Sequence, residues 1–446
     1  MVVTRFLFAS LGMDAILAGA TIHQRRQALH RVANGLGFQD AYNTTLDRIR
    51  QQGGSKSKLG MAALMWAFRC ERPLRLEELR HALGVELGVE DLSIDNVPSV
   101  RTVLGCTLGL VTIDENTSAV RLLHFTLQQY LEQRSTLFVT AHSMMAEICL
   151  TYLNYRSIRA LPPNLNTLET TPFLEYAACF WGTHAGSGVT EPVKSLSLRL
   201  LEGYENHVSA AILWRKKIRK LSSEGDVQAI SGLHCIAYWG ITEIAISVLE
   251  MKKWDVNGRD SKGDTPLMWA VRYGNYRVVE LLLKQGDIRP DLAIRDGRTV
   301  FSFAAESGNE PAVKLLLECG IINPDSSSSD GRTPLSFAAS GGHEGVVKLL
   351  LERGDVNPNS SDNDGRTPSS YATIMEREGV VKLLSEARTS NHKSLENSDR
   401  MLASALGSSF PSPLLLALIL SIFLFLLHYV YGDSRALFHT IHRAWQ

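Results

Sequence analysis

From about Ala229 to Arg388 the apolar positions fall into copies of one pattern. VVELLLKQGD (278–287), AVKLLLECGI (312–321), VVKLLLERGD (346–355) and VVKLLSEAR (380–388) each carry the apolar stripe of a helix with one buried side. Ahead of each lies a helix of small residues, marked by Ala270, Ala304-Ala305, Ala338-Ala339 and Ala372. Ahead of that lies a polar turn: Gly263-Asp264-Thr265-Pro266, Gly297-Arg298-Thr299-Val300, Gly331-Arg332-Thr333-Pro334 and Gly365-Arg366-Thr367-Pro368, each starting 34 residues after the last. A weaker copy precedes them: Leu233 and Gly240 lie 34 residues before Leu267 and Gly274, and IAISVLE (244–250) is its second helix. A fixed period of this size marks stacked units that bury their apolar faces only against each other.

The turn, the two helices and the period resemble the ankyrin family over about five repeats. The Thr of Thr-Pro is expected to cap the first helix, and Pro in its first turn gives up an amide with no intrahelical partner. Gly286, Gly320 and Gly354, after the second helix, stand where a left-handed cap is wanted. The Asp-Gly steps at 296–297, 330–331 and 364–365 suit the tip of a hairpin projecting between repeats. The fifth repeat has Ser369, Glu376 and Ser385 where the others have Leu, Gly and Leu, the polar surface a terminal repeat presents. Leu233-His234-Cys235-Ile236 reads as the other, degenerate end. The resemblance implies a protein partner on a concave surface. By register that surface holds Tyr238, Trp239, Trp269, Arg272, Tyr273, Glu306, Ser307 and Ser340, with Arg259, Lys262, Arg295, Arg298, Arg332 and Arg366 on its rim. Tyr, Trp and Arg dominate binding energy at interfaces. Each Trp also has burial in the stack as a reading of equal weight, and the recurrent Arg is also explained as a solvated repeat feature.

The N-terminal half carries a different pattern. Helical periodicity over Lys58–Arg69, Arg75–Leu87 and Val97–Leu108 is followed by two short strands, Leu110–Ile113 and Val120–Leu123, around a polar turn, and by a helix from His124. Three helices and a hairpin predict a winged helix. RPLRLEELRHALGVELG (72–88), SVRTVLGCTLGLVTID (99–114) and VRLLHFTLQQYL (120–131) resemble the winged-helix segment of fungal-type NACHT–ankyrin proteins, a class of STAND signalling ATPases. RFLFASLGMDAI (5–16) through YNTTLDRI (42–49) resembles the end of the NACHT module. In that family an upstream nucleotide-binding domain is the switch and the repeats are the sensor. A phosphate loop reads G-x-x-x-x-G-K-[S/T]. The nearest stretch, Gly53-Gly54-Ser55-Lys56-Ser57, departs from it and is read as a linker, so no ATPase residue carries over. The expectation is a truncated family member or a reading frame that begins late.

Charge excludes little and sharpens one point. Lys+Arg and Asp+Glu are 46 each, which gives no bulk field for nucleic acid or an anionic surface. Lys56–Arg134 holds nine Lys/Arg against ten Asp/Glu, and Val97–Leu108 offers only Arg101, so a structural winged helix is expected, not a DNA reader. The six cysteines (70, 106, 149, 179, 235, 319) are scattered, with no His/Cys cluster at zinc spacing, and read as reduced thiols facing the cytosol. His124, His142, His184 and His234 are read as ordinary histidines without ligand partners. Phe6–Met13 is read as part of an amphipathic helix and not as a signal peptide. Leu414–Tyr431 is apolar on every face with only His428 ionisable, the length of a membrane span, and is read as a tail anchor.

The expected protein is mainly α: a helical remnant of a NACHT module (1–54), a winged-helix domain (55–140), a helical linker region (141–225), ankyrin repeats (226–388), a polar linker (389–410), a transmembrane helix (411–432) and a tail (433–446). No cofactor, metal or catalytic set is expected. The expected role is a non-enzymatic, membrane-tethered scaffold with its soluble part in the cytoplasm, a protein partner, and neither a nucleic acid nor a small-molecule substrate. Two rivals are the regulatory portion of a NACHT ATPase and a winged-helix DNA-binding regulator.

Overall fold

The computed structural model describes residues 21–33, 37–134, 136–163, 170–218 and 230–387. Phe6–Met13 and the apolar run 414–431 lie outside these residues.

Helices α1 (Ile22–Ala33) and α2 (Gly37–Gln51) lead into α3 (Gly54–Arg69). The Gly53–Ser57 stretch is therefore no linker: only Gln52 and Gly53 separate two helices, and Ser55 to Ser57 are the first turn of α3. Helices α4 (Leu76–Gly84) and α5 (Val100–Cys106) complete a three-helix set, both shorter than expected. Pro98 has no amide to donate and disfavours helix at Val97, so α5 begins only after Ser99, whose hydroxyl caps it by accepting from the Thr102 amide at 3.1 Å. Strands β1 (Val111–Ile113) and β2 (Val120–Leu122) pair antiparallel with Val111 opposite Leu122. A further edge comes from the chain before α4, where Val120 N–H donates to Leu74 O at 2.7 Å and Leu76 N–H to Ser118 O at 2.9 Å. This is a winged helix with Leu64, Trp66, Leu79 and Val103 buried, followed by α6 (Phe125–Gln133), which packs on α2 and β2 and buries Leu127.

Next come α7 (Ala141–Leu153), α8 (Arg156–Arg159), α9 (Leu174–Ala185), α10 (Glu191–Leu201) and α11 (Val208–Leu213), the last continuing as a π-turn through Ile218. These helices are no spacer. α9 packs on α7 and α11, and α10 packs on α7 and on the first repeat. A Cβ on Gly182 of α9 would overlap the indole of Trp239, so only glycine lets that ring lie on the helix. The first repeat is covered and is not a free end, and one buried core runs from Tyr42 to Leu384.

The repeats pair α12 (Gly232–Trp239) with α13 (Thr242–Glu250), α14 (Pro266–Arg272) with α15 (Tyr276–Leu283), α16 (Val300–Glu306) with α17 (Glu310–Glu318), α18 (Pro334–Gly341) with α19 (Glu344–Leu351), and α20 (Pro368–Ile374) with α21, residues 378–387. Thr265, Thr299, Thr333 and Thr367 cap the first helices as expected, each hydroxyl accepting an amide three residues on at 3.3 Å. Val278, Val279 and Leu282, and their counterparts in the next two repeats, are buried.

Two expectations are corrected. The left-handed cap follows the first helix of each pair: Gly240, Gly274, Gly308 and Gly342 have φ of 71°, 71°, 66° and 80°. A two-residue reversal into the second helix demands it. Of Gly286, Gly320 and Gly354, only Gly320 has positive φ. The Asp-Gly steps sit in tight turns and not in a β-hairpin, with Gly297 N–H donating to Ile294 O at 3.0 Å and Ser329 N–H reaching back to Asp296 O at 2.8 Å. Among the described residues the only paired strands are β1 and β2.

Candidate protein-interaction face

The first helices and their turns form one face of the stack. Its fourth helical position reads Trp269, Phe303, Phe337 and Tyr371, an aromatic at every 34th residue, of which the sequence pattern marks only Trp269. The turn supplies Arg298, Arg332 and Arg366 at the same spacing. The two series interleave. The Arg298 guanidinium lies 4.6 Å from the Phe303 ring and 5.9 Å from Phe337, and Arg332 lies 4.1 Å from Phe337 and 4.3 Å from Tyr371. A guanidinium over a ring face gains about 0.5–1 kcal/mol where exposed, more where water is excluded.

Aromatic tips are matched to their surroundings. Where the ring has a polar tip, the residue nine positions earlier is Asp: Trp269 Nε1–H donates to Asp260 at 3.0 Å and Tyr371 O–H to Asp362 at 2.5 Å. Where the ring is Phe, that residue is Ile294 or Ser328. A buried donor left alone costs about 1–3 kcal/mol, so the two positions vary together.

The charges are arranged in the same way. In the second repeat Arg272 pairs with the buried Asp264 at 2.6 Å. In the third the signs exchange: Arg298 pairs with Glu306 at 2.7 Å and with Asp296 at 2.7 Å. In the fourth, Ser340 stands at the position of Glu306, and no carboxylate pairs with Arg332 among the described residues. Its Nε is buried without a hydrogen-bond partner. Arg366 is exposed, 3.4 Å from Asp364.

The expected binding residues thus divide. Trp269 is a correction: it is fully buried, stacked on Trp214 at 6.1 Å, and cannot face a partner. Trp239 is a second, held against α9 with its ring 6.3 Å from Trp181. Tyr238 and Tyr273 are half-buried and pack edge to face at 4.6 Å, and burial pushes the Tyr238 hydroxyl up to about 12. Arg272, Glu306, Ser307 and Arg366 are exposed, and Arg298, Arg332 and Ser340 are half-buried on the same face. The rim is less free than its charge suggests: Arg259 donates to Ala293 O at 2.7 Å, Arg295 to Ser261 O at 3.4 Å, and Lys262 lies over Trp214 at 5.3 Å.

Another series escaped sequence reasoning because its residue type changes. Asn275, Asn309, His343 and Arg377, spaced by 34, each bond a carbonyl at the end of the preceding repeat's first helix, at 2.7, 3.2, 2.8 and 3.3 Å. They satisfy carbonyls that a helix end leaves open. The histidine reading is also corrected: His142 and His184 meet at 2.8 Å beside Glu71, although 42 residues separate them in sequence.

Residues 215–295 and 301–394 match the family described as ankyrin repeats (3 copies). Residues 46–140 match the family described as the GPI inositol-deacylase winged helix domain. A search of curated proteins gave no match.

Proposed function

We propose that this chain, which joins a GPI-inositol-deacylase-type winged helix domain to ankyrin repeats as the C-terminal portion of a NACHT–ankyrin protein does, is a scaffold without catalysis of its own. In this reading the face formed by the first helices of repeats three to five grips a protein partner, and the winged helix and helical region hold that face in place as the sensor and regulatory half of a STAND protein. One observation carries it: the ladder Phe303, Arg298, Phe337, Arg332, Tyr371, in which the half-buried Arg332 guanidinium lies between two rings with no carboxylate partner among the described residues. Aromatic and arginine anchors of this kind dominate interface energies.

Affinity capture with the full chain tests it. Arg332→Glu is expected to abolish recovery of a partner that binds the parent protein, while Arg277→Glu, on the second-helix face, leaves it unchanged. Equal recovery by both variants sinks the reading. No helix among the described residues is long and apolar enough to cross a membrane. The proposed tether rests on the apolar run 414–431, with the chain ahead of it on the cytoplasmic side. In cell fractionation the full chain should sediment with membranes and a chain ending at residue 410 should not.

A further inference from the structure

Three elements that are distant in sequence converge beneath the winged helix. Glu71 follows α3, His142 is the second residue of α7, and His184 lies near the end of α9. Each points one donor atom inward, and these atoms all lie within 4.8 Å of one another. The two histidines present like atoms, Nδ1 to Nδ1, at 2.8 Å.

A single shared proton satisfies that histidine pair, and the Glu71 carboxylate stands exposed beside it. Among the described residues nothing bonds the Glu71 carboxylate, although its backbone N–H is fixed on the Tyr176 hydroxyl at 3.1 Å. The same hydroxyl bonds His184 Nε2 at 2.9 Å. One tyrosine thus orients both a buried imidazole and the backbone of the carboxylate residue, the outer-shell arrangement that fixes metal-binding histidines.

We propose that Glu71, His142 and His184 form a transition-metal site of the zinc class that clamps the end of α3 in the winged helix to α7 and α9 of the helical region. Two imidazoles and a carboxylate suit Zn²⁺, Co²⁺ or Ni²⁺ and are a poor set for Mg²⁺ or Ca²⁺. Zn–N bonds of about 2.0–2.1 Å in a tetrahedron need the two nitrogens about 3.3 Å apart. His184 is fully buried and held at Nε2 by Tyr176, so the half-buried His142 makes the small movement as the metal displaces the proton shared between the two Nδ1 atoms. The exposed side, where Glu71 lies, leaves a fourth position for water. The Arg69 charge nearby opposes a cation, and the Glu71 charge offsets it.

The test uses the full, untagged chain stripped by a chelator. Zn²⁺ titrated by calorimetry and Co²⁺ followed by its visible absorption should each show one saturable equivalent, with the melting midpoint rising by a few degrees at saturation. His142→Ala should weaken binding by at least about 100-fold and Tyr176→Phe by about 10-fold. Glu71→Gln, at an exposed position, guards against misfolding and should weaken binding while leaving the apo melting midpoint unchanged. Absence of saturable binding to the parent protein overturns the proposal and leaves a hydrogen-bonded histidine pair. Binding that survives both His142→Ala and Glu71→Gln overturns it as well.

Discussion

The second repeat and the fourth use the same backbone positions for opposite ends. In the second, Asp264 is buried under Arg272, and Trp269 is sealed by Asp260 beneath Trp214. In the fourth, Arg332 stands where Asp264 stood, Ser340 replaces Arg272, and Phe337 needs no acceptor. The first arrangement closes the stack against the helical region. The second leaves a guanidinium between two rings with no carboxylate beside it. Two substitutions at equivalent positions turn a joint into a surface for contact, and the fold that carries them does not change.

The largest expected effect lies at the sealed end. Trp269→Ala should cost about 3–5 kcal/mol in urea unfolding, because a fully buried ring leaves a cavity, whereas the half-buried Tyr371→Ala should cost about 1 kcal/mol. Equal costs would erase the contrast. Gly182→Ala comes next, at about 1–3 kcal/mol, since its methyl enters the space of the Trp239 ring. The loss should be accompanied by a change in tryptophan fluorescence.

Acid should weaken the same sealed end. Burial lowers the His207 imidazole to about 4, with the nearby Arg159 acting in the same direction against the Leu153 carbonyl. The unfolded chain takes up that proton below a pH of about 6.5, while the folded chain refuses it. Stability therefore falls from about pH 6.5 to about pH 4 and then levels off with respect to this group. Burial also lowers His234, which acts with the same sign. Melting midpoints for His207→Asn should fall less steeply over that range than those of the parent, and parallel curves would remove His207 from the account. The smallest effects belong to the open end. Glu376 occupies the left-handed slot with φ of 55°, so Glu376→Gly should stabilise by about 1 kcal/mol in the same unfolding assay. Arg332→Ala should cost less than about 1 kcal/mol in stability while removing partner binding.

Much of this was legible in the sequence because the repeats state it several times. The Thr caps, the Val-Val-x-Leu-Leu-Leu stripe and the hairpin of the winged helix each follow from a local rule, and each is found where expected. The left-handed glycine was assigned to the wrong helix end because both ends carry a glycine, and only the tightness of the reversal decides between them. Position 275 and its equivalents were invisible because Asn, His and Arg perform one task with different atoms. The Asp264–Arg272 and Arg298–Glu306 pairs were hidden by their exchange of sign. The His142–His184–Glu71 cluster could not be read at all, since the packing of α7 against α9, and nothing in the spacing, brings it together.

Site-specific photo-crosslinking on the full chain tests the central claim most directly. A photoreactive residue would replace Tyr371 or Ser340 on the first-helix face, or Lys314 on the second-helix face, in otherwise parent protein and in Arg332→Glu. The account predicts that positions 371 and 340 capture the same partner, that position 314 does not, and that Arg332→Glu abolishes the capture. Capture from position 314 of equal strength, or capture that Arg332→Glu leaves intact, would contradict it.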